Sequence, residues 1–321
     1  MFRHLYQSIV KRPTLPRMVI GRQHFFTSQV SSTQQQLLGH DNRNFIDYSS
    51  RKTIDEHGNT PLMWYCFHGE KHHISDLLGL NTNLFNDKEY NALMIATIRN
   101  HIDVVQSLLN DETIDLNIQN KSGTNALMLA CEHKRLSIIE LLVKHDALIN
   151  HQNHIGFTAL MIAVISGNTS SIRLILNSGA DINLSSHYGF TPLMKACHCG
   201  NIEIVRLLLS FNPNLDQQNN QGQTALMIAA YLEEDDITEQ LLNAGANPDI
   251  QDVNGSTALI KGSTGKNPLV IKHLIHARAN LDMIDHVGCN ALDYALKINQ
   301  SDEIITLLHE AQNLSDKIRS R

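Results

Sequence analysis

Gly156-Phe157-Thr158-Ala159-Leu160-Met161, Gly189-Phe190-Thr191-Pro192-Leu193-Met194 and Gly222-Gln223-Thr224-Ala225-Leu226-Met227 are one phrase written three times, 33 residues apart. Working outward, its last four positions recur as Thr60-Pro61-Leu62-Met63, Asn91-Ala92-Leu93-Met94, Asn125-Ala126-Leu127-Met128, Thr257-Ala258-Leu259-Ile260 and Asn290-Ala291-Leu292-Asp293. The eight copies are spaced by 31, then 34, then 33 residues five times. A fixed period of this length marks a repeat architecture, in which each unit buries its apolar face only against its neighbours.

Each column has a physical reason. Five residues before the Met column stands glycine, except for Glu89 in the second copy; a tight turn there can use positive φ at no steric cost. Thr or Asn then caps a helix, and Pro61 and Pro192 occupy the first helical position, where a missing N–H costs nothing. Two residues past the Met column come Ala96, Ala130, Ala163, Ala196, Ala229 and Ala295, small enough for close helix approach, with Tyr65 and Gly262 as exceptions. About fourteen residues past it come paired apolar positions, from Leu77-Leu78 to Leu307-Leu308, which with Ile138, Ile172, Ile204, Ile237 and Ile304 predict a second amphipathic helix. Every unit therefore reads as turn, helix, helix.

These copies resemble ankyrin repeats, with Met where that family usually shows His in its Thr-Pro-Leu-His signature. The resemblance implies an all-α ankyrin-repeat solenoid of helix-turn-helix units with short turn or hairpin fingers. The array is expected over 51–312, in repeats near 55–85, 86–119, 120–152, 153–185, 186–218, 219–251, 252–284 and 285–312. Two residues missing near Phe85, one inserted in Asn110–Ile114, Glu89 and Gly262 are local departures in repeats one, two and seven. The polar stretch 313–321 reads as a frayed tail, and Asp41–Lys52 as an imperfect cap through Phe45, Ile46 and Tyr48.

The first forty residues differ in kind. They carry five Lys/Arg and no acid, whereas residues 41–321 hold 21 basic and 32 acidic groups, a net of −11. Residues 1–50 read as a basic, largely disordered extension; Phe2, Leu5, Tyr6 and Ile9 on one helical face keep a mitochondrial transit peptide open as the alternative. The net charge of −6 makes nucleic acid a poor partner for the chain, and no apolar run approaches the ~18 residues of a membrane span, so no membrane insertion is expected. Five scattered cysteines fit a reducing compartment, so an intracellular, cytoplasmic location is expected.

Chemical sites fare poorly. Gly262-Ser263-Thr264-Gly265-Lys266-Asn267 has two residues between its glycines where a phosphate loop needs four, and Asn follows the lysine. Cys197-His198-Cys199 lacks a second ligand pair, and Cys197 shares a column with Cys66, Cys131 and Val164, where a compact apolar residue is wanted. No cofactor, metal or catalytic set is called for, and the chain reads as non-enzymatic. What the resemblance implies instead is a protein partner, of unknown identity, bound by a monomeric array through a concave face. Finger tips and the exposed end of each first helix would carry the contact. In repeats four to six these are Ile155, Phe157, Ile165, His187, Tyr188, Phe190, His198 and Tyr231. Phe157, Tyr188, Phe190 and Tyr231 are four of only 17 aromatics in 321 residues, and exposed aromatics so concentrated need a cover. An assembly factor inside mitochondria and an effector of an intracellular bacterium acting on a host protein are the two other readings.

Overall fold

The Thr or Asn that opens each tetrapeptide accepts a hydrogen bond from the backbone N–H three residues on, and a short helix starts there in every copy. The computed structural model describes residues 54–79, 82–297 and 302–319. The expected basic extension and cap lie outside the described residues. First helices run Pro61–His68, Ala92–Arg99, Ala126–Glu132, Ala159–Ser166, Pro192–His198, Ala225–Tyr231, Ala258–Ser263 and Ala291–Lys297. Second helices follow from repeat two onward: Ile102–Leu109, Leu136–Lys144, Thr169–Asn177, Ile202–Leu209, Asp235–Asn243, Pro268–His276 and Asp302–Arg319. Among the described residues there is no strand, and the fingers are hydrogen-bonded turns.

First helices pack on first helices of adjoining repeats and second on second, so one apolar core runs the length of the array. The Met column from Met63 to Met227 is 0–1% exposed, and the alanine column from Ala96 to Ala229 is wholly buried. Burying each such large apolar side chain contributes about 1.5–3 kcal/mol, which the array collects once per helix and repeat.

Two polar ladders hold the register between repeats. In the fingers, the backbone N–H of Asp87, His154, His187, Asn220, Val253 and His286 donates to a carbonyl of the preceding finger, at 2.9–3.1 Å. Behind the second helices, Asn83, Asn117, Asn150, Asn183, Asp216 and Asp249 each accept from the backbone N–H of the next repeat, at 2.7–3.0 Å. These bonds link residues 30 to 32 apart, and they satisfy backbone donors that packing would otherwise strand.

Two expectations need correction. Repeat one has no second α-helix: Lys71–His73 and Ser75–Leu77 are separate 3-10 turns, Ile74 alone is fully buried, and Leu77 and Leu78 are half-buried. Gly69 and Gly79, both at positive φ, stand two residues closer than Gly167 and Gly179 do, which leaves too little chain for the helix. At the other end, residues 313–319 continue the helix Asp302–Arg319 instead of fraying. That segment holds neither Gly nor Pro, and Asp302 and Glu303 suit its N-terminal turn.

Candidate protein-binding face

The candidate face is built from the fingers upward. In repeat four, Asn153 Oδ1 accepts from the N–H groups of Ile155 (3.1 Å) and Phe157 (2.9 Å), folding the finger over Gly156. The next finger then closes down, with His187 N–H donating to Ile155 O at 3.1 Å. A Cβ on Gly156 would stand 2.4 Å from His187 N, so this glycine serves the close approach of the neighbouring backbone as well as its φ of 78°. Asn220 N–H donates in turn to Tyr188 O at 3.1 Å. His187 is exposed at its tip, while Ile155 and Tyr188 are half-buried.

The residue after the glycine behaves differently from the tips. Phe157 is 5% exposed, which corrects the expectation of a solvent-presented ring. Its ring turns beneath the following repeat, where the Lys195 ammonium lies 5.1 Å from its centroid. The same ammonium lies 4.3 Å from the Phe190 ring, which is half-buried against the core. Lys195 thus joins two of the expected aromatics, and each such contact is worth about 0.5–2 kcal/mol depending on desolvation. Burial holds the lysine below its ordinary range.

At the ends of the first helices, Ile165, His198 and Tyr231 occupy one position in repeats four, five and six. Ile165 is half-buried and His198 exposed, and Tyr231 is 60% exposed, an unusual state for a ring so large. Lys195 was missed in the sequence. Its column otherwise reads Ile95, Leu129, Ile162 and Ile228 nearby, so a lysine out of place was the signal available. The Asx ladder was missed too, although its members recur at 33 or 34 residues from Asn83 to Asp249.

The other chemical candidates sit inside the scaffold. Gly262 and Ser263 are buried within the first helix of repeat seven, and Ser263 Oγ donates to Ile260 O at 2.8 Å. Cys66, Cys131 and Cys197 are fully buried, and burial pushes their thiols up, which leaves them inert as nucleophiles. Among the described residues no His/Cys/Asp/Glu group is arranged to hold a metal ion. No described helix is long and apolar enough to cross a membrane.

A family model described as ankyrin repeats (3 copies) matches residues 29–120, 112–186 and 179–252. The chain is an ankyrin-repeat protein. The ankyrin repeat domain of Bcl-3, described as a unique member of the IkappaB protein family, superposes with a TM-score of 0.63 at 26% identity, covering 68% of this chain and 99% of that one. The human ASB11 ankyrin repeat domain shares the fold, with a TM-score of 0.58 at 24% identity over 69% of this chain and 98% of that one. In sequence, the ankyrin repeat protein nuc-2 of Neurospora crassa is 30% identical over 112 residues, 32% of this chain and 10% of that protein. Transient receptor potential cation channel subfamily A member 1 of Homo sapiens is 31% identical over 96 residues, 29% of this chain and 9% of that one. The matches thus span about a tenth of the length of these curated relatives. Ankyrin repeats are in general protein-protein interaction modules, and the array described above supplies the surfaces for that role.

Proposed function

We propose that this ankyrin array is a non-enzymatic, monomeric scaffold that binds a protein partner across the concave side of repeats four to six. One observation carries the reading: Tyr231 stands 60% exposed at a position that the packing leaves free, in line with Ile165 and His198. Tyr188, Ile155 and His187 extend the same surface along the fingers. The corresponding positions elsewhere hold Ser122, Gln221 and Asn254 for Tyr188 and Lys297 for Tyr231, so the fold itself does not ask for aromatics there. With Phe157 buried, it serves the face as a support under Lys195 and not as a contact. The reading places the protein in the cytoplasm; imaging a tagged full chain beside one lacking residues 1–45 tests that against mitochondrial import.

The paired substitution Tyr188→Ala and Tyr231→Ala tests the binding role. Truncating aromatic hot spots costs about 2 kcal/mol or more each in binding, so capture of partners by the tagged full chain should fall at least tenfold. The thermal midpoint should barely move, since surface changes stay within about 0.5 kcal/mol. Asn254→Ala in repeat seven is the control and should change neither. If capture falls only in proportion to folded protein, the aromatics serve packing and the reading fails.

A further inference from the structure

The position one residue past the Met column sorts the repeats by how they treat charge. It is apolar in Ile95, Leu129, Ile162 and Ile228, and polar in Lys195, Lys261 and Tyr294. Lys261 Nζ meets Asp252 Oδ2 at 2.8 Å, and the Tyr294 hydroxyl donates to Asp285 Oδ2 at 2.6 Å. In both repeats the acid is the residue that folds the finger, accepting from two backbone N–H groups through its other oxygen. The array therefore has its own way of satisfying a polar group at this position.

Repeat five lacks it. Where the acid should stand there is Ser186, whose hydroxyl takes the Phe190 N–H at 3.2 Å. Among the described residues Lys195 Nζ has no hydrogen bond and no carboxylate; it has the two rings, with the Cys199 side chain beside it. Ring faces attract an ammonium but bring no countercharge, and a half-buried cation without one is costly. Burial, the main cause, lowers the lysine pKa in keeping with that cost. An isoleucine, present on either side at Ile162 and Ile228, would avoid the cost altogether.

We infer that Lys195, on its shelf of Phe157 and Phe190, is the anchor for an Asp or Glu side chain of a protein partner lying across the fingers of repeats four and five. The carboxylate would supply the countercharge that Asp252 supplies in repeat seven. The inference rests on the concave-face reading and names its chemistry. Residues 1–40 of the chain's own N-terminal extension cannot be the donor, because they contain no acid. A nucleic acid is disfavoured by the net −11 of residues 41–321, against which one carboxylate in an apolar setting is a small burden.

The test uses the full chain and a random twelve-residue peptide library displayed on phage, with the enriched sequences remade as fluorescent peptides. Enriched peptides should share an Asp or Glu, and its replacement by Asn or Gln should weaken binding at least tenfold. Against Lys195→Ile the acidic and amide peptides should bind within about threefold of each other, while Lys195→Arg should keep most of the wild-type affinity. Circular dichroism should show Lys195→Ile folded, with its midpoint unchanged or raised. A selection without acidic enrichment, or acidic peptides that bind Lys195→Ile as tightly as wild type, overturns the inference. If such peptides still lose affinity to Tyr188→Ala, the concave-face reading stands and only the Lys195 assignment falls. If Tyr188→Ala and Tyr231→Ala are both silent, the concave-face reading falls with it.

Discussion

Glu89 shows what one residue is worth in a stacked array. It takes the position held by glycine in every other finger, and it adopts the same left-handed backbone, at φ 66°. Six of the seven joints between successive fingers carry the N–H···O=C bond; the joint between repeats two and three does not, and Lys121 reaches Glu89 instead by an exposed ion pair of 2.8 Å. A Cβ in this column meets the next finger, as the 2.4 Å approach at Gly156 shows, so the bond is lost where the side chain stands. Glu89→Gly should relieve a left-handed penalty of about 1–2 kcal/mol and let the bond form, giving a net gain on the order of 1 kcal/mol after the entropy glycine loses. Chemical denaturation measures it, and an unchanged or lower midpoint would refute the account. His133 makes a second residue-scale case. Burial first, and Arg135 beside it second, lower its pKa to about 4. The unfolded chain therefore takes up that proton first, near the ordinary 6.5, and stability falls as the pH drops from about 6.5 to 4. His133→Gln, in a column that elsewhere holds Arg99, Ser166 and Leu232, should remove on the order of 1–2 kcal/mol of that acid loss. Melts at pH 7, 5 and 4 that run parallel for the two proteins would contradict it.

At the scale of the element, each helix is specified locally and then confirmed by its neighbours. Repeat seven has the shortest first helix: Ala258–Ser263 spans six residues and carries Gly262 where Ala229 stands one repeat earlier. A Cβ at Gly262 would lie 3.1 Å from Val270 Cγ1 and 3.4 Å from Ile271 Cδ1, so the second helix must yield by a few tenths of an ångström. Repeat six accommodates this with Ile237 and Thr238 in the equivalent places, both buried. Gly262→Ala should therefore keep about half of the ~1 kcal/mol difference in helix propensity and raise the denaturation midpoint slightly. A lowered midpoint would mean that Val270 cannot move. Caps, glycines and alanines of this kind were legible in the sequence because each acts within a few residues of itself. The missing helix of repeat one was not, because Leu77-Leu78 keeps the apolar pattern while the two-residue shortening removes the room for it. The inward turn of Phe157 was hidden for a different reason: it depends on Lys195, 38 residues away, and no property of Phe157 alone distinguishes a ring that is covered from one, like Tyr231, that is not.

Across the whole array, stability is the sum of repeat terms and nearest-neighbour terms, so a weak joint divides what would otherwise unfold together. Two defects fall side by side. Repeat one has 3-10 turns in place of its second helix, which leaves the second helix of repeat two with little to pack on, and the joint after repeat two lacks its finger bond at Glu89. Repeats one and two should therefore open as a unit, before and apart from repeats three to seven. Amide hydrogen exchange followed by mass spectrometry should find the helices Ala92–Arg99 and Ile102–Leu109 exchanging at least tenfold faster than Ala159–Ser166 and Thr169–Asn177. End fraying alone would produce a similar gradient, but it would act at both ends. Repeat eight is also terminal, yet its joint keeps the His286 to Asn254 bond and its second helix runs 18 residues, so fraying by position predicts symmetry and the joint defect predicts asymmetry. Glu89→Gly separates the two completely. Restoring the finger bond should slow exchange in Ala92–Arg99 and Ile102–Leu109 while leaving Asp302–Arg319 untouched; equal protection at the two ends, or no response to the glycine, would show that the array has no weak joint at repeat two.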